Sequence, residues 1–144
     1  MVDRMRARTW SLLGVSVLVT LPTACGDIRD QSLCAVYEDF LDQRAAVAAI
    51  DLDETTAGEA AEVAEDYLNT VRHLQEVADT RYGTVLYDLE LAVANVLRTL
   101  ESVPDDVDDD TWVPLVEDSV EEAADLAVSV DETLGVQCPQ AGDQ

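Results

Sequence analysis

The chain has 144 residues, with 8 basic side chains (all arginine) against 31 carboxylates, a net charge of −23 at neutral pH, and a single histidine. So large an excess of negative charge excludes nucleic acid and anionic lipid surfaces as partners, because both would repel it, and it favours cationic counterparts. An apolar fraction of 48%, repeated at helical spacing, separates the chain from acidic disordered segments, which lack it. The length suits one domain with one core.

The chain opens with MVDRMRART, in which Arg4, Arg6 and Arg8 stand against Asp3, and residues 10–21 follow without a charge. A basic stretch leading into a short apolar run is the pattern of an export signal. As a helix those 12 residues would reach about 18 Å, short of a hydrocarbon core of about 30 Å. They are therefore too few to span a membrane comfortably.

Thr23, Ala24 and Cys25, followed by Gly26 and Asp27, resemble the lipobox of bacterial lipoprotein precursors. Pro22 stands where that family usually has leucine, with Leu21 one place earlier. The resemblance covers residues 1–27 and bears on no later part of the fold. It implies cleavage before Cys25, a palmitate-type lipid on that cysteine, and anchorage at the outer face of the cell membrane. Residues 1–24 are then the signal peptide, 25–30 a lipidated tether, 31–138 the folded domain and 139–144 a tail.

Acylation of Cys25 leaves Cys34 and Cys138 as the remaining thiols, and an exported chain in an oxidising compartment is expected to pair them. Removing residues 1–24 also leaves five arginines and 30 carboxylates, a net charge of −25.

Four segments carry helical period. Leu33, Tyr37, Phe40, Leu41, Val47 and Ala48 share a face in the first, between about residues 31 and 50. In the second, Ala60, Ala64, Tyr67, Val71, Leu74 and Ala78 alternate spacings of four and three, as a packing seam does. Thr56 and Glu59 stand at capping-box spacing ahead of it. Tyr82, Val85, Leu89, Ala92, Val96 and Leu100 form the third stripe, which Pro104 stops. Val116, Val120, Ala123, Ala127, Val130 and Leu134 form the fourth, with Thr111 as cap, Pro114 in the first turn and Gly135 as terminator. No strand pattern is present. Residues 78–84 read as a turn, with one long kinked helix as the alternative.

These stripes predict an all-α fold: an antiparallel up-down-up-down four-helix bundle closed by one disulfide. In that topology the start of the first helix lies beside the end of the fourth, which is where Cys34 and Cys138 fall.

Chemistry-bearing motifs are sparse. His73 falls off the seam and reads as a solvated helix position. No nucleophile is matched to a base, and no phosphate loop or zinc spacing occurs, so a non-catalytic domain is expected. In DVDDDTWVPLVE, Asp106, Asp108, Asp110 and Glu117 occupy positions 1, 3, 5 and 12 of a Ca²⁺-loop pattern. Thr111 replaces its turn glycine, and a solvated acidic loop is the plainer reading. The bundle would place this loop and that around Asp51, Asp53 and Glu54 at the pole away from Cys25. The function expected is a membrane-anchored, strongly acidic interaction or envelope-associated module that meets a basic protein or cell-envelope partner. Ligand capture is the alternative, with a divalent cation at the acidic loops or a small apolar molecule between the helices.

Overall fold

The computed structural model describes residues 28–104, 106–139 and 141, and within them the chain forms four α-helices and no strand: α1 Ile28–Ala48, α2 Ala57–Val77, α3 Gly83–Glu101 and α4 Asp109–Leu134. The expected signal peptide and Cys25 lie outside the described residues. α2 packs on both α1 and α3, and α3 on α4, so helices adjacent in sequence are adjacent in space. A disulfide joins Cys34 on α1 to Cys138 just beyond α4, with Cα atoms 5.4 Å apart across a sequence separation of 104. Among the described residues no helix is long and apolar enough to cross a membrane.

The capping box ahead of α2 forms as the spacing predicts. Thr56 is extended, its hydroxyl accepts the Glu59 N–H at 3.2 Å, and its own N–H donates to the Glu59 carboxylate at 3.0 Å. The Thr56 N–H and hydroxyl both donate to that carboxylate, which favours the ionised acid and holds Glu59 below the usual carboxylate range.

Residues 78–84 break the chain, which excludes the long kinked helix. Ala78 turns extended after Val77, and the Asp79 carboxylate accepts the Arg81 N–H at 3.1 Å, capping a single 3₁₀ turn at Thr80–Tyr82. The Arg81 guanidinium lies 4.7 Å from the Tyr82 ring centre, a cation–π contact that covers the corner.

The start of α4 corrects the sequence reading. Asp108, extended at φ −64° and ψ 146°, is the N-cap residue, and its carbonyl accepts the Thr111 N–H at 2.9 Å, so Thr111 lies within the first turn. Pro114 then falls past that turn, inside the helix, where its missing N–H withdraws the bond that the Asp110 carbonyl would accept. At the other end Gly135 caps α4 as expected, in a right-handed conformation.

The stripes bury mainly where they were placed. All members of the second except Ala78 are buried, and Val85 in the third and Val120 in the fourth are half-buried. The core divides into two clusters. The larger holds Tyr37, Phe40, Leu74, Leu86, Leu89 and Leu134 toward the disulfide, and the smaller gathers Ala60, Ala64, Val96, Leu100 and Val116 around Trp112.

Candidate functional site

The first helix creates the site by burying only half its length. Leu33, Val36, Tyr37 and Phe40 lie at three- and one-residue spacings on one face and are all buried. Beyond Leu41 the apolar residues of α1 are alanine and valine, and of these Val47 packs against the larger core cluster. Val47, assigned to the core stripe from sequence, is half-buried, and Ala48 is exposed.

The gap that results is a cleft of about 400 Å³ at the junction of the two core clusters. Its floor and walls are small and apolar: Ala60 and Ala64 from α2, Val93 and Val96 from α3, Ala123 and Ala127 from α4. Such a volume is in the range of small-molecule sites, about 300–1,000 Å³.

Tyr67, 4% exposed, also lines this cleft, its ring stacked on Phe40 at 5.7 Å between centroids. Its hydroxyl is buried and meets no hydrogen-bond partner among the described residues. A buried hydroxyl in that condition costs roughly 1–3 kcal/mol. Burial drives its ionisation far above the usual tyrosine range, although the nearby Arg44 charge acts the other way. The group therefore stays a neutral donor. Arg44 stands at the edge of the cleft, 3.2 Å from the Asp131 carboxylate.

The sequence-derived metal residues are not assembled. Asp106 lies in the α3–α4 connection and Asp108 caps α4, whereas Asp110 and Glu117 lie on the helix itself, two turns apart. Among the described residues no group of three or more His, Cys, Asp or Glu side chains could hold a metal ion. What the fold does bring together is Glu117 and Val113 of α4 with Asp51, Leu52 and Asp53 of the α1–α2 connection, around one open depression. There the Asp53 N–H donates to the Asp51 carboxylate at 3.1 Å.

His73 is exposed, with Nδ1 3.3 Å from the Glu76 carboxylate. Across α2 and α3, Arg72 Nε meets Glu90 at 2.9 Å and Gln75 Nε2 meets the same carboxylate at 3.0 Å, holding Glu90 below the usual range.

Two features of the structure were not foreseen from the sequence. Trp112, 1% exposed, anchors the smaller cluster, and its place four residues before Val116 was the signal that could have found it. The isolation of the Tyr67 hydroxyl had no signal in one dimension, because period assigns the ring to the core without showing what its oxygen meets. No protein-family model matches this chain, and no curated protein or solved structure matches it either.

Proposed function

We propose that this chain is an exported bacterial lipoprotein, cleaved before Cys25 and held through a lipid on that residue at the outer face of the membrane. Its disulfide-closed domain serves as a non-catalytic, acidic module for a basic protein or cell-envelope partner. The observation that carries the reading is the Cys34–Cys138 bond. It suits an oxidising compartment, and it takes two of the three cysteines, leaving Cys25 of the lipobox-like stretch to another chemistry.

The helices in this reading run up-down-up-down. Packing between sequence neighbours supports that order, as do the short connections at 49–56 and 102–108 and the bond between the start of α1 and the residues after α4. The tether then meets the membrane at the disulfide end, and Asp51, Asp53 and Glu117 face outward at the opposite pole.

Fatty-acid labelling with membrane fractionation tests the anchor. Wild type is expected to take label and sediment with membranes, and Cys25→Ser to do neither; a labelled Cys25→Ser protein overturns the anchor. Titration with polylysine tests the acidic pole. Asp51→Asn, Asp53→Asn and Glu117→Gln together are expected to weaken binding more than three neutralisations on the outer face of α3 and α4.

A second reading, capture of a small apolar molecule between the helices, is favoured by the apolar walls of the cleft.

A further inference from the structure

We propose that the cleft binds a small cationic amphiphile, its hydrocarbon body among the apolar walls and its single ammonium or guanidinium head over the depression edged by Asp51, Asp53 and Glu117. The inference rests on the second reading, that the cleft captures a small molecule, and adds a charged end to that molecule.

The cleft and the depression share a wall. Ile50 and Leu52, both half-buried in the α1–α2 connection, line the two alike. Asp51 and Asp53 alternate with them in sequence, so one short stretch of chain supplies hydrocarbon to the cleft and carboxylates to the depression, where Glu117 joins from α4.

Each part sets one requirement on the ligand. Walls of alanine, valine, leucine and isoleucine favour hydrocarbon, and a volume of about 400 Å³ limits the body to the size of a small molecule. The three carboxylates are exposed, so a cation above them keeps its water while its stem lies on apolar surface, as a surface lysine or arginine does. No charge has to be buried.

The sign of the head follows from where the protein's charges stand. Arg44, at the edge of the cleft, is already bound to Asp131 at 3.2 Å. An anionic head would have to displace Asp131 and approach a chain of net charge −23. Turned the other way, it would meet the carboxylates of the depression. About 21 Å of α4 separate Asp131 from Glu117 at 1.5 Å per residue, so a cation at the depression stands well away from Arg44. A neutral head gains nothing from the carboxylates.

The probes are n-octylammonium, 1-octanol and octanoate, equal chains that differ in the head, titrated calorimetrically into purified full-length protein in 0.1 M sodium chloride. Octylammonium and octanol are expected to saturate one site and to displace each other. Octylammonium should bind about tenfold more tightly than octanol, and octanoate more weakly than either. Ala123→Leu, which fills the cleft, should abolish both while the helical circular dichroism is kept, and Val120→Phe is a second filling variant from a half-buried wall position. Asp51→Asn, Asp53→Asn and Glu117→Gln together should bring octylammonium to within about twofold of octanol and leave octanol within about twofold of its wild-type affinity. Glu38→Gln, Asp39→Asn and Asp88→Asn remove as much charge from exposed positions that line neither the cleft nor the depression, and should keep most of the preference.

No saturable binding to wild type, binding of the two probes at independent sites, or binding that persists in a folded cleft-filled variant overturns the capture reading itself. Mutual displacement without a preference for octylammonium, a preference that survives neutralisation of the depression, or one that the distant neutralisations remove equally overturns the cationic class alone.

Discussion

Tyr37 on α1 donates its hydroxyl hydrogen to the carboxylate of Asp131 in the last turn of α4, and the same carboxylate receives Arg44 at 3.2 Å. One acid on α4 therefore holds α1 at two points two turns apart. Burial and the Asp131 carboxylate both hold the Tyr37 hydroxyl well above the usual tyrosine range, so it remains a donor at any physiological pH. Gly135 fits beside this contact because a Cβ there would stand 2.7 Å from the Asp131 carbonyl oxygen and 3.3 Å from the Tyr37 hydroxyl.

Tyr37→Phe is expected to lower stability in urea denaturation by about 1–2 kcal/mol, toward the lower end because Asp131 is 42% exposed. Arg44→Met should cost less than about 1 kcal/mol, as a partly exposed pair does. The Tyr37 term has a definite pH sense: it is complete below about pH 10, where an unfolded tyrosine ionises, and declines as pH rises further. A gap between wild type and Tyr37→Phe that fails to narrow above about pH 10 would count against it.

Reduction of the disulfide is expected to lower stability by as much as about 4–5 kcal/mol, since the bond closes a loop of about 100 residues. Non-reducing peptide mapping of the exported protein should recover Cys34 joined to Cys138. Two free thiols in that material would remove the staple and the strongest sign of an oxidising compartment.

Glu90→Gln is expected to lower the melting temperature at pH 7, by the equivalent of about 0.5 kcal/mol given that its partner Arg72 is half exposed. Because the Arg72 and Gln75 bonds depress the folded-state ionisation of Glu90, its contribution is present above the unfolded value of about 4.3 and is lost as pH falls below it. The gap between mutant and wild type should therefore close between pH 5 and pH 3. A gap that widens there contradicts the assignment.

Trp112→Ala should cost about 3–5 kcal/mol, because the side chain is 1% exposed at the centre of the smaller cluster. Urea denaturation monitored by circular dichroism measures it. A loss below 1 kcal/mol would mean that the second cluster contributes little to the fold.

Sodium chloride is expected to raise the melting temperature by screening repulsion among exposed carboxylates, over about 10 Å at 0.1 M. Millimolar Ca²⁺ and Mg²⁺ should act alike, and Asp108→Asn with Glu117→Gln should not separate them, since α4 runs through the stretch that a Ca²⁺ loop would need. A Ca²⁺-specific stabilisation erased by that double mutant would restore the metal site.

Sequence alone determined the helices, because period, capping and turn residues act over a few positions: the Thr56–Glu59 box, the break at Asp79 and the stop at Gly135 all form where local chemistry places them. It also determined the disulfide partners once Cys25 was set aside by its resemblance to a lipobox cysteine. Tertiary structure decided which parts of each stripe reach the core. Val47 and Ala48 have the spacing of buried residues, yet Val47 is half-buried, Ala48 is exposed, and both line the cleft. It decided too that the Tyr67 hydroxyl would be buried alone and the Tyr37 hydroxyl bonded to Asp131, although both are tyrosines at core positions of neighbouring helices. Apolar period records that a ring is buried; only the arrangement of four helices fixes what its oxygen can reach.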